Sequence, residues 1–166
     1  GGIFRVGPKS AGADPGPACY GKGGDLPTST DANVLLGRIN ADGELAGNLK
    51  INPELSRKAY ETHIGSKLNM TPLEAAAGAL KIMTHNMVNA IEMNSVRKGY
   101  DPREFTLVAA GGAGPLFACD IAEELNIGTD SFVFIDDNPI ERGLIKELLP
   151  EVEVPDFPKK PYELVD

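Results

Sequence analysis

Two cysteines and two histidines are all that this 166-residue sequence offers of the side chains that most readily hold zinc or build disulfides. Cys19 and Cys119 lie far apart and neither belongs to a CxxC pair, which excludes a zinc ribbon and a disulfide scaffold. Long hydrophobic runs are missing too. No apolar stretch approaches the roughly 20 residues that cross a bilayer, and no basic-then-apolar signal pattern opens the sequence. The expectation is a cytoplasmic protein without a membrane, in which the sequon Asn69-Met70-Thr71 has no meaning. Positive charge is scarce: 16 basic residues face 24 acidic ones, for a net charge of −8. A surface built for nucleic acid would need clustered Lys and Arg, so no nucleic-acid partner is expected.

What is present is enough for one ordinary domain with a real core. Charge is distributed unevenly. Residues 1–127 hold 12 basic and 14 acidic residues, whereas residues 128–166 hold 4 and 10. Glycine changes at the same place, with 17 before residue 128 and 2 from there on. Such a step marks either a boundary between two units or an acidic tail.

Residues 1–30 are rich in turns, with Gly7-Pro8, Asp14-Pro15-Gly16-Pro17 and Gly21-Lys22-Gly23-Gly24, and exclude a helix or central strand. Cys19 and Tyr20 in the middle of this loop argue that it packs against something. A helix follows from Thr30, with Asp31 in its first turn and Gly37 near its stop. Asn52-Pro53 starts a second helix, running to about residue 66. Thr71-Pro72-Leu73-Glu74 is a capping box for a long third helix. Leu73, Ala76, Leu80, Met83, Met87 and Ile91 recur along it as a buried stripe, and Gly99 ends it. Residues 105–110 read as a buried strand, Gly111–Pro115 as a turn and residues 116–125 as a helix. A second strand at 131–135, a helix from Pro139 to about Leu149 and an extended proline-rich tail complete the chain. Helices alternate with strands, so the expected class is α/β.

Three places could carry chemistry. Gly111-Gly112-Ala113-Gly114-Pro115 joins a strand to a helix N-terminus, where free amides and the helix dipole favour phosphate and glycine lets the backbone come close. No GK[ST] follows, so this is not a Walker loop. A tight turn with glycines for packing explains the spacing alone slightly better. In the first loop Asp14 is placed to orient a ligand, metal or water, although an Asp before Pro-Gly more often caps its own turn. Asp31 and Asn33 are further candidates. His63 and His85 lie in predicted helices without ligand-type neighbours, and a surface or packing role suits them better.

These segments together resemble a known family. Gly7-Pro8-Lys9-Ser10 running into AGADPGPACYG, then Thr30-Asp31-Ala32-Asn33, is similar to the hydantoinase A/5-oxoprolinase family, which also includes acetone carboxylase β subunits. Asn86-Met87, Gly99-Tyr100-Asp101-Pro102-Arg103, Phe105-Thr106-Leu107-Val108 and GGAGP continue the likeness in order over residues 1–127. The resemblance implies part of a sugar-kinase/actin-like domain and an enzyme that uses ATP to activate a cyclic amide or ketone by phosphorylation. It implies ATP contacts from Gly111, Gly112 and Gly114, and places Asp14, Asp31 and Asn33 near the catalytic cleft. The family's DxGGT phosphate loops and most of its N-terminal half have no counterpart here; Gly1-Gly2-Ile3 reads as the last remnant of a preceding glycine-rich segment. GGAGP is also commonly followed by Leu-His-Ala, where this sequence has Leu116-Phe117-Ala118.

Past residue 128 the resemblance changes. Residues 130–142, with Asp136-Asp137-Asn138-Pro139 at a strand end, and Leu149-Pro150-Glu151-Val152 are similar to the FkbH-like branch of the HAD superfamily. There the paired aspartates hold Mg²⁺. That family's nucleophile motif, Asp-x-Asp followed by Thr, is absent, so two carboxylates capping a turn describe Asp136 and Asp137 better. The expectation is thus two incomplete pieces, 1–127 and 128–166, the first belonging to an ATP-dependent enzyme that needs the missing part of its subunit and a hydantoinase B-like partner subunit. Alternatives are a HAD-like Mg²⁺-dependent phosphotransferase piece and a non-catalytic interaction fragment prone to self-association.

Overall fold

The computed structural model describes residues 4–41 and 49–158, so Gly1-Gly2-Ile3 and the last proline of the tail, Pro161, lie outside the described residues. The chain divides into two compact units, residues 1–83 and 84–166. This division falls inside the long helix, not at the step in composition near residue 128.

In the first unit, a loop with a short 3₁₀ turn at Ala18–Tyr20 leads to helix α1 (Ser29–Leu35). Helix α2 (Pro53–Tyr60) begins at Asn52, whose side chain accepts from the Glu54 amide, and continues through a wider π turn (Glu61–Gly65) into the short α3 (Ser66–Leu68). Asn69 closes that run in the left-handed conformation while the Met70 amide donates to the Gly65 carbonyl. A Cβ on Gly65 would stand 2.7 Å from the Met70 carbonyl oxygen, so only glycine permits this closure. Cys19, Val34 and Ile51 form a small core.

Helix α4 (Pro72–Asn94) starts with the capping box read from the sequence: the Glu74 amide donates to Thr71 Oγ1, and Glu74 Oε2 accepts from the Thr71 amide. Its buried stripe sits further round than the apolar pattern suggests. Ala75, Ala76, Ala79 and Leu80 are buried in the first unit and Thr84 and Val88 in the second, whereas Leu73 is 46% exposed. Alanines admit close backbone approach, and the bulkier Met83, Met87 and Ile91 fall to the half-buried margin.

In the second unit, strand β1 (Leu107–Ala110), helix α5 (Pro115–Leu125) and strand β2 (Phe132–Ile135) form a parallel β-α-β unit, Leu107 facing Phe132 and Ala110 facing Ile135. Asn126 ends α5 in the left-handed conformation, with the Ile127 amide on the Ala122 carbonyl. Helix α6 (Pro139–Leu148) follows. The described part of the proline-rich tail, residues 150–158, opens with a turn at 150–152 where an extended chain was expected, and it also packs. The Phe134 amide donates to the Glu153 carbonyl and the Glu153 amide to Phe132, which continues the sheet beyond β2. Val152 and Val154 thereby join Ala109, Ala118, Ala122, Phe132 and Phe134 in one core. No described helix is long and apolar enough to cross a membrane.

Candidate functional site

The register of the sheet decides which candidate residues meet. Ala110 and Ile135 are partners at the carboxyl ends of neighbouring parallel strands, so the Gly111–Gly114 turn and the Asp136–Asp137 turn leave the sheet side by side. This is the edge at which open α/β sheets present ligand-binding loops.

The three glycines of the first turn differ in what the fold asks of them. Gly111 has φ +74°, the left-handed region that disfavours a side chain. A Cβ on Gly114 would lie 2.5 Å from the Ala110 carbonyl oxygen, so glycine is needed there for the turn to close. Gly112 has neither constraint: a Cβ there would meet nothing within 4 Å. The turn therefore combines one glycine demanded by its backbone conformation, one demanded by close packing and one free of both, and all of Gly111–Gly114 is exposed. Phe117 is buried, with 3% exposure, on α5.

Next to it, Asp136 Oδ1 accepts from the Asn138 amide at 2.7 Å, and Asn138 in turn caps α6 through the Ile140 amide. Arg142 Nη1 donates to the Asp136 carbonyl at 2.7 Å. Asp136 is 9% exposed and Asp137 is exposed. Among the described residues no three His, Cys, Asp or Glu side chains are grouped to hold a metal ion.

Asp31 and Asn33 are held in the first unit. Asp31 is fully buried. Its Oδ1 accepts from the Cys19 amide (2.8 Å) and the Ser56 hydroxyl (2.7 Å). Its Oδ2 accepts from the Ala18 amide (3.2 Å), the Thr28 amide (3.0 Å) and the Thr28 hydroxyl (2.7 Å). Five donors on one carboxylate fix the first loop, the start of α1 and α2 in a single arrangement. Tyr60 adds a hydrogen bond from its hydroxyl to the Thr28 carbonyl. The enclosure shows in the acidities: burial first, then the negative Asp31, pushes the Cys19 thiol up to about 12 and raises the Tyr60 phenol as well. Asn33 is buried with Nδ2 on the Ser29 carbonyl, while its Oδ1 has no partner. Asp14 sits exposed in the loop and makes no hydrogen bond or ion pair among the described residues. The loop's glycines are structural: Gly16 has φ +73°, and Gly24 lies against the Gly16 carbonyl with no room for a side chain.

The histidines keep to their elements. His85 stands 3.6 Å from Glu124 on α5, with its side chain 66% exposed. His63 is half-buried in the π turn. Sequence reading missed Ser56 and Tyr60 as partners of the Asp31 network. The signal available was the Asn52-Pro53 helix start, which fixes the helical register in which Ser56 and Tyr60, four residues apart, share one face of α2.

The chain matches the hydantoinase/oxoprolinase family over residues 1–134, which include the first loop, Asp31 and the whole glycine turn but not Asp136 and Asp137. It is 42% identical to caprolactamase subunit alpha of Pseudomonas jessenii over 124 residues, 75% of this chain and 18% of that protein. It is 45% identical to the acetophenone carboxylase gamma subunit of Aromatoleum aromaticum over 112 residues, 68% of this chain and 15% of the other. The crystal structure of the ATP-dependent caprolactamase from Pseudomonas jessenii superposes with a TM-score of 0.70 at 41% identity, over 75% of this chain and 18% of that one. The chain belongs to the hydantoinase/oxoprolinase family. It spans less than a fifth of the length of these curated relatives, both of which are named as subunits.

Proposed function

We propose that this chain forms part of an ATP-dependent enzyme of the hydantoinase/oxoprolinase type, which activates a cyclic amide or a ketone by phosphorylation, and that alone it does not turn over ATP. The observation that carries this reading is the family match over residues 1–134, which takes in the complete glycine turn. Relatives named as an ATP-dependent caprolactamase and an acetophenone carboxylase subunit support ATP use and a carbonyl substrate. Within the turn, Gly112 is free of any packing demand, as a backbone that must admit a phosphate would be. Gly111 and Gly114 hold its shape. Asp31 is proposed as a positioning residue that fixes the first loop from within, while Asp14 is one of that loop's exposed carboxylates; Asn33 is proposed to serve through its buried Oδ1. The sugar-kinase/actin-like fold and a cytoplasmic setting, where ATP is supplied, belong to the same proposal.

Charge argues that the chain needs more than itself. Residues 84–166 hold 7 basic and 16 acidic residues, a surface that repels a polyphosphate. Phosphoryl transfer requires positioning and charge neutralisation from several loops together. The remainder of the subunit and a hydantoinase B-like partner subunit are the proposed sources. Residues 128–166 are proposed as a separate piece of HAD-like origin, in which Asp136 and Asp137 form a strand-to-helix turn; the hydrogen bond from the Asn138 amide to Asp136 Oδ1 supports that role over Mg²⁺ binding.

The test is ATP titration and turnover for the chain alone and after addition of the missing subunit portion. Weak binding without turnover alone, with turnover restored by the addition, is the expected result. Micromolar ATP binding by the isolated chain would refute its incompleteness.

A further inference from the structure

The first unit contains a cavity of about 670 Å³ with an uneven distribution of charge. Arg5 and Lys9 reach it from the start of the chain, and His63 and Lys67 from the π turn and α3. No described Asp or Glu lines it. None of the side chains of Arg5, Lys9 and Lys67 has an ion pair or hydrogen bond among the described residues. The remaining wall is mixed: Phe4, Ile64, Ala79 and Met83 give it an apolar side, and Thr28, Ser29 and Thr30 a polar one. The first unit as a whole has 9 basic and 8 acidic residues. A third of its permanent cations therefore gather at one hollow, in a protein whose net charge is −8.

We propose that this cavity binds a small organic anion, its carboxylate or phosphoryl head held by Arg5, Lys9 and Lys67 and its apolar body against the Phe4 side. Three cations without counter-charges repel one another, and an anion placed between them relieves that repulsion. Arg presents a planar fork of donors to an oxyanion, and Lys a mobile point charge, so the pair suits either head group. Ser10 adds a hydroxyl at the same wall while its oxygen accepts the Gly12 amide. The volume falls within the range of small-molecule sites, which are mostly apolar with a few polar anchors. The buried Asp31 does not line the cavity, so its negative charge does not face the head group. The glycine turn lies in the other unit.

Calorimetric titration of the full chain with hexanoate, hexylamine and inorganic phosphate tests it. Hexanoate is expected to bind, hexylamine, the same body with a cationic head, is not, and binding should weaken with added salt. The double variant Arg5→Gln/Lys67→Gln should weaken hexanoate at least about fivefold, Lys67→Arg should retain affinity within about twofold, and Lys146→Gln, in the second unit, should change nothing. Circular dichroism checks the fold of each variant; should the double variant fail to fold, Lys9→Gln provides the same comparison. Equal binding of hexylamine, or unchanged affinity in the folded charge-removing variants, would overturn the proposal. So would binding of phosphate without hexanoate, because the apolar wall would then have no part, and so would no binding of either anion.

Discussion

Ser56 on α2 donates its hydroxyl proton to Oδ1 of Asp31, 25 residues earlier, over 2.7 Å, and both side chains are fully buried. This bond joins α2 to a carboxylate that also holds the Ala18, Cys19 and Thr28 amides. The carboxylate thus has a structural task that leaves neither oxygen exposed to a ligand.

Removing that carboxylate should therefore act on stability. Asp31→Ala leaves several buried donors unpaired and is expected to cost about 3 kcal/mol or more, and Ser56→Ala about 1–2 kcal/mol. Urea unfolding of each variant measures both, and a destabilisation for Asp31→Ala within about 0.5 kcal/mol of zero would contradict the network.

Cys19 gives the same region a pH dependence. Its folded pKa is raised from 9.0 to about 12, so the folded state keeps a proton that the unfolded chain releases. The associated stability is complete below pH 9 and is lost as pH rises from 9 towards 12. The urea midpoint should fall between pH 8.5 and about pH 11, and fall less in Cys19→Ala, with other alkaline groups unchanged. A native-state thiol titration at pH 8 should modify the exposed Cys119 and spare the buried Cys19.

The glycine turn separates packing from ligand approach. Gly114→Ala must push against the Ala110 carbonyl and should cost about 2 kcal/mol or more, whereas Gly112→Ala should stay within about 0.5 kcal/mol of the parent. Equal costs in chemical denaturation would contradict the different surroundings of the two positions.

Helix α6 exposes Ile140 (78%), Leu144 (52%) and Leu148 (65%), four residues apart on one face. Light scattering should show self-association at high concentration, and Leu144→Glu should reduce it. A clean monomer throughout would argue against an interaction-prone surface.

Much of this was readable in the sequence where the signal is local. The Thr71–Glu74 capping box, the prolines that start α2 and α6, and the strand–turn–helix unit all depend on neighbours within a few residues. The family motifs were readable for the same reason. The role of Asp31 was not, because its donors come from Ala18, Cys19 and Ser56, which only tertiary folding brings together. Nor was the packing of Val152 and Val154, since proline-rich sequence specifies an extended chain but not its neighbour. The basic cavity escaped notice because Arg5 and Lys67 are remote in sequence and look ordinary one at a time.

The most direct measurement is the KM for ATP of Gly112→Val in the chain completed with the missing portion of its subunit. A Cβ at Gly112 meets nothing within 4 Å and the turn is exposed, so the variant's unfolding midpoint is expected to stay close to the parent's. A nucleotide-facing turn predicts a rise in KM of about tenfold or more, roughly 1.4 kcal/mol or above. An unchanged KM and rate with a stable fold would show that the turn does not face the nucleotide.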